Sequence, residues 1–165
     1  MNAAIATGFP QLSVRPMTAE DGGRLERLFD RLSPETVYRR FFTLFPAPPP
    51  GVLRHLSTVD HYDHEGLVAL DGDEIVALAR WDRPTHGGDV AEVSIVVEDA
   101  WQHRGLGGEL MRALVAEAAG RGITTLNASI LTDNGPARRL ATSLAPPTCV
   151  EMDGPVTYFT FRLAS

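Results

Sequence analysis

The stretch that decides the fold is Ala91-Glu92-Val93-Ser94-Ile95-Val96-Val97-Glu98-Asp99-Ala100-Trp101-Gln102-His103-Arg104-Gly105-Leu106-Gly107-Gly108. Val90 to Val97 is the strongest strand pattern in the chain, dense in β-branched residues. A short connection follows, and its glycines open a long helix read as Gly105 to Gly120. That helix gathers Leu106, Leu110, Met111, Leu114, Val115 and Ala118 on one side. Glycines at such a junction let successive backbone N–H groups point at one spot without Cβ obstruction. The helix N-terminus adds a partial positive charge of about half an elementary unit. A pyrophosphate suits that geometry, and Arg104 can add a mobile charge. A dinucleotide-binding βαβ fingerprint does not fit, because its third glycine would fall on Leu110 and the strand follows a hairpin. Taken alone, the glycines also fit a tight turn that binds nothing.

Working outward, Leu12-Ser13-Val14-Arg15-Pro16 alternates as a short first strand after a loose leader at residues 1–11. Thr18 with Asp21 has capping-box spacing, and Leu25, Leu28, Phe29 and Leu32 repeat at helical intervals. Ser33-Pro34 restarts a second helix, whose stripe of Tyr38, Phe41 and Phe42 reads as core. Pro46 to Pro50 breaks the chain, and a third short helix is expected over Gly51 to Thr58. Leu67–Leu70, the turn Asp71-Gly72-Asp73 and Ile75–Trp81 read as a hairpin. Beyond the long helix, Ile123–Ile130 reads as a strand and Asp133–Leu144 as a helix. Two strands close the chain near Thr148–Met152 and Val156–Leu163. The order β-α-α-α-β-β-β-α-β-α-β-β describes a mixed sheet flanked by helices, an α/β (α+β) fold. One domain over residues 12–165 is expected.

Composition excludes several chemistries. The 15 cationic side chains are all arginine, so neither a Walker A loop nor a lysine Schiff base is available. A net charge of -6 argues against nonspecific nucleic-acid binding. The single cysteine, Cys149, forms no internal disulfide and reads as a buried small hydrophobe. No apolar run approaches the length needed to span a bilayer, and no secretory signal is visible, so the expected location is cytoplasmic with no membrane partner.

Gln102-His103-Arg104-Gly105-Leu106-Gly107 resembles the Q/R-x-x-G-x-G/A acyl-CoA motif of the GNAT N-acetyltransferase superfamily. The likeness runs from Val14 to Leu163. It is nearest the acetyltransferase domain of actinobacterial Pat-type protein lysine acetyltransferases, through the stretch Leu32 to Phe42, Val59-Asp60 with Asp63, and Ala91-Glu92-Val93. The resemblance implies a mostly antiparallel sheet with a splayed central strand and acetyl-CoA as co-substrate. Ile95, Val96 and Val97 would hold the pantetheine arm and thioester. His103, Arg104, Gly105, Leu106, Gly107 and Gly108 would cradle the pyrophosphate, and Asn134 would contact the coenzyme. Glu92 matches the family's general base. A lysine-type amine is only about 1 part in 10³ neutral at pH 7, so attack on a thioester needs such a proton acceptor. The backbone N–H of Val96 is the expected donor to the carbonyl oxygen. Without the downstream motif, Glu92 reads first as a solvent-facing strand residue paired with an arginine across the sheet, and the motif reverses that preference.

The usual tyrosine general acid is replaced by Ala141, and Ala145-Pro146-Pro147 stands where the family has Gly-Phe. The acceptor implied is an amine, a protein lysine first and a small molecule second, with a non-catalytic acyl-CoA-binding module as the alternative. A monomer or homodimer is expected. Asp60-His61-Tyr62-Asp63-His64-Glu65 collects possible ligands but has no matching partner motif, so no metal is expected. Its acidity is read instead as an attractor for a cationic amine.

Overall fold

The computed structural model describes residues 4–164. Seven strands form one sheet in the order β1-β2-β3-β4-β5-β7-β6. The strands are β1 (Leu12–Pro16), β2 (His64–Asp71), β3 (Glu74–Asp82), β4 (Val90–Val97), β5 (Thr125–Leu131), β6 (Cys149–Asp153) and β7 (Val156–Arg162). The helices are α1 (Gly22–Arg31), α2 (Pro34–Phe41), α3 (Pro50–Ser57), α4 (Leu106–Gly120) and α5 (Gly135–Leu144). The order of elements agrees with the one read from the sequence. Every neighbouring pair is antiparallel except β4–β5, which is parallel.

The boundaries follow local chemistry. Ser33 caps α2 by accepting from the Thr36 N–H at 3.2 Å, and Pro34 occupies the first turn, where its missing donor costs nothing. Phe42 ends α2 in the left-handed conformation, φ 61°. Asn134 caps α5 by accepting from Ala137 N–H at 3.3 Å. Two cores lie on opposite faces of the sheet. Leu67, Ala79, Trp81 and Ala91 pack against Leu106, Leu110 and Leu114 of α4. Val68, Leu78 and Val96 pack against Leu25, Leu28 and Phe29 of α1 and Leu56 of α3.

Three expectations change. Of the aromatic stripe of α2, only Phe41 packs on the core, its ring tilted against Phe29 at 5.5 Å, while Tyr38 lies on the exposed side of the helix and Phe42 leaves it in the left-handed C-cap. Cys149 is exposed, since β6 is an edge strand with no helix over it. Residues 4–11, read as a loose leader, make specific contacts. Ile5 bridges Val14, Gly8 N–H donates to Glu109 at 2.9 Å, and Phe9 lies 6.3 Å from the Trp101 ring.

Candidate active site

The site begins where two strands part. The parallel pairing of β4 with β5 covers only Val90↔Thr125, Ala91↔Leu126 and Glu92↔Asn127. Beyond it β4 follows β3 as far as Val97, while β5 follows β7 as far as Leu131. A cleft of about 1160 Å³ opens in the gap. Ile95, Val96, Val97, His103, Gly105, Gly107, Gly108, Asn134 and Glu92 all line it.

The register says which backbone groups face the gap. Glu98 N–H donates to Val76 O at 2.8 Å, so alternation turns the backbone groups of Val96 and Ser94 toward β3. Those of Val93, Ile95 and Val97 turn toward the cleft. The Val97 carbonyl confirms it by accepting from Gln102 Nε2 at 2.9 Å. The donor expected at Val96 is therefore engaged with β3. Ile95 and Val97 offer the N–H groups that face the gap.

At the start of α4, the backbone N–H groups of residues 103–108 have no protein acceptor among the described residues; the first satisfied one is Glu109, which donates to Gly105 O at 3.2 Å. Gly105 adopts φ 90°, a conformation that costs a side chain about 1–2 kcal/mol. No side chain caps the helix. Added Cβ atoms at Gly107 would meet Leu140, Ile95 and Val97 only at ordinary contact distances, so this turn is not held empty by crowding. These features fit the diphosphate of a coenzyme A thioester, an anion that donors and helix dipole would both favour.

Two residues expected in that cradle sit differently. The Leu106 side chain is buried in the α4 core, leaving only its backbone N–H for a ligand. The Arg104 guanidinium lies over Trp101, 4.4 Å from the ring centroid, and 5.9 Å from that of Phe9. Asn134 spends its carbonyl oxygen on the α5 cap, which leaves its amide N–H groups for the cleft.

Gln102 braces the seam. Its Nε2 donates to Val97 O and, at 3.0 Å, to Thr36 Oγ1, while Thr36 Oγ1 and Ser33 Oγ donate to the Asp99 carboxylate at 3.1 and 2.6 Å. Burial would raise the Asp99 pKa, but these bonds hold it below the usual carboxylate range. The start of α2, the splayed strand and the turn before α4 are thus one hydrogen-bonded unit.

Glu92 is exposed on the cleft wall and forms no ion pair or hydrogen bond with the described residues, so no described arginine pairs with it. Its face of the sheet also carries Ser94 and, from β3, Asp82 and Arg80. Arg80 is fully buried and donates to Asp82, to Leu56 O at 2.6 Å and to Thr58 O at 3.4 Å. His64 Nδ1 meets Asp82 at 2.7 Å. Burial and the neighbouring Arg80 lower His55 below the usual imidazole value. Sequence reading missed this constellation, which no motif marks.

The acidic cluster expected near the acceptor lies elsewhere. None of residues 60–65 lines the cleft. Asp60 Oδ1 accepts three backbone N–H groups, from Tyr62, Asp63 and His64. Burial opposes its ionisation, but those bonds prevail and bring its pKa down to about 2. Asp63 binds His86 and Gly87 N–H, and Glu65 binds His61 and Gly66 N–H. These carboxylates tie a turn together rather than attracting a substrate. Among the described residues no group of three His, Cys, Asp or Glu side chains is placed to hold a metal.

Comparison with known proteins agrees with this geometry. Acetyltransferase Pat of Mycolicibacterium smegmatis is 37% identical over 123 residues, covering 72% of this chain and 37% of that protein. Acetyltransferase PA5475 of Pseudomonas aeruginosa is 31% identical over 113 residues, 66% of this chain and 60% of that one. The chain therefore spans well under two thirds of either relative's length. Among solved structures, the GNAT domain of S. lividans PAT superposes with a TM-score of 0.85 at 29% identity, covering 98% of this chain and 97% of that one. Residues 26–145 match the family described as Acetyltransferase (GNAT) family. With that match spanning most of a fold whose central strand parts beside an uncapped helix, the chain belongs to the GNAT acetyltransferase family.

Proposed function

We propose that this domain transfers an acetyl group from acetyl-CoA to a primary amine, a protein lysine side chain in the first instance. One observation carries the reading: the backbone N–H groups of residues 103–108 have no protein acceptor among the described residues, at a helix start that borders the cleft opened by the sheet's one parallel seam, with the Glu92 carboxylate on the same cleft wall. The Pat names of the relatives in Mycolicibacterium and S. lividans support lysine as the acceptor class.

Acetyl-CoA supplies an activated acyl carbon and a thiolate leaving group. The N–H groups of residues 103–108 and the N-terminus of α4 bind its diphosphate. The free edge of β4 extends the cradle along the pantetheine, and the Ile95 or Val97 N–H meets negative charge growing on the carbonyl oxygen. Glu92, directly or through one water, takes the proton that the ammonium must lose before nitrogen attacks. The amine then bonds to the acyl carbon as the carbon–sulfur bond breaks. The leaving thiolate needs no side-chain acid, since a thiol's pKa lies near 8.5. Ala141 at the customary tyrosine position is compatible with that. No helix of the described residues is long and apolar enough to cross a membrane, and an exposed unpaired cysteine suits the reducing cytoplasm.

Glu92→Gln tests the reading. Acetyl transfer to a lysine peptide should fall about 10²–10⁴-fold at pH 7, while calorimetric acetyl-CoA binding stays within about threefold. A protein that binds acetyl-CoA but transfers nothing before or after the change is an acyl-CoA-binding module instead.

A further inference from the structure

Among the described residues, Arg40 is a cation with no carboxylate in direct contact. It stands in the last turn of α2, its guanidinium lines the cleft, and it rests 4.7 Å from the Phe41 ring centroid. Its one hydrogen bond within the protein runs from Nη2 to Ser94 Oγ at 2.9 Å, and it enters no salt bridge. Its remaining nitrogens, Nε and Nη1, have no hydrogen-bond partner among the described residues and are not fully buried. Arg80, beside it, is the contrasting case: fully buried, with Asp82 and two carbonyls satisfying its donors. Asp82 is hydrogen-bonded to Arg80 and His64 and reaches Arg40 only through its charge at a distance, not through a direct bond. Burial, reinforced by the like charge of Arg80, lowers the Arg40 pKa to about 10, yet the group stays charged at neutral pH. A partly desolvated guanidinium with unused donors is built to meet an oxyanion.

Position narrows the ligand. Ser94 lies two residues along β4 from Glu92 on the same face, roughly 7 Å away. An anion on Arg40 is therefore a few bonds from the reacting centre, too near for the coenzyme's phosphates at the other end of the strand. We propose that Arg40 is a specificity residue that takes a carboxylate carried into the reaction centre by one of the two substrates. The carboxylate belongs either to the acceptor, on or beside the attacking amine, or to the far end of a short dicarboxylic acyl group on coenzyme A. The transfer chemistry is unchanged; only the binding of one partner gains an ion pair. The inference rests on the reading of the cleft as an acyl-CoA site.

Two arms separate the sources. In the donor arm, calorimetry compares succinyl-CoA with acetyl-CoA. In the acceptor arm, kcat/KM with acetyl-CoA is compared for lysine peptides flanked by glutamate or by glutamine, and for free lysine against lysinamide. A charge-assisted hydrogen bond predicts at least about a tenfold preference for the carboxylate-bearing member in one arm. Arg40→Gln should reduce that ratio to about one through KM or the dissociation constant, and Arg40→Lys should restore part of it. Ser94→Ala removes the hydrogen bond to Arg40 but not the charge and should keep the preference, while the partial restoration in Arg40→Lys guards against misfolding of the Arg40→Gln variant. Absence of a preference in both arms, or its survival in Arg40→Gln, overturns the proposal while acetyl-CoA binding is intact. Failure of the unaltered protein to bind acetyl-CoA overturns the reading of the cleft itself.

Discussion

The two halves of the sheet are built for different work. Strands β2 and β3 are buried along nearly their whole length, with α1 and α3 on one face and α4 on the other. On the far side of the seam, every residue of β6 is exposed, and β7 alternates buried with open positions. The covered half is a rigid wall; the open half is a ledge. Catalytic parts need a fixed reference, and β4 obtains one by pairing along its length with β3 while leaving its other edge free for a ligand.

The contrast can be broken by substitution. Leu78→Ala in β3 should destabilise the domain by about 3 kcal/mol, because a buried leucine leaves a cavity between sheet and helices. Urea unfolding reads this directly, and a loss below about 1 kcal/mol would mean the covered half is not the rigid one.

Asp21 should come next, at about 2 kcal/mol for Asp21→Asn. It is buried, and burial alone would raise its pKa. Two bonds from Arg15 at 2.8 Å and one from Thr18 N–H at 2.9 Å hold it below the ordinary value instead. A folded-state value below the unfolded one means this stability is complete above about pH 4 and is lost as pH falls through the folded value. Thermal melts from pH 7 to pH 3 should show the wild type losing more than Asp21→Asn across the acid end.

Gln102→Ala lies on the seam and should act in between. Losing the bonds to Val97 O and Thr36 should cost about 1 kcal/mol, with roughly tenfold weaker acetyl-CoA binding by calorimetry. Unchanged binding would separate the brace from the site. Smallest is Met152→Ser on β6, expected within about 0.5 kcal/mol by the same unfolding assay, since the side chain is 71% exposed.

Much of this was legible in one dimension. The switch from helical to alternating periodicity located each element, and Ser33, Pro34 and the glycines marked the ends of helices. The acceptor end was not legible. Arg40, Arg80 and Asp82 come from α2 and β3, with no shared spacing, and only strand pairing brings them to Ser94 and Glu92. The donor misassigned to Val96 has the same origin, because a one-residue step along a strand exchanges the neighbour that its N–H faces. Tyr38 and Phe42 look like core by hydrophobicity, yet Tyr38 lies on the open side of α2 and Phe42 turns out of the helix at its left-handed cap. Cys149 looks buried until β6 is known to be an edge.

By itself the sequence determined the order of elements, the glycine-rich entry to α4 and the complete absence of lysine, which leaves arginine as the sole source of strong positive side-chain charge. These are local or compositional properties, dictated by propensity, capping and residue type. Tertiary structure alone decided where β4 leaves β5, which backbone groups face the gap and that Arg40 lines it without a salt bridge to the described residues. Each of those depends on register and on what packs above a strand, and both are settled by contacts between residues far apart in the chain.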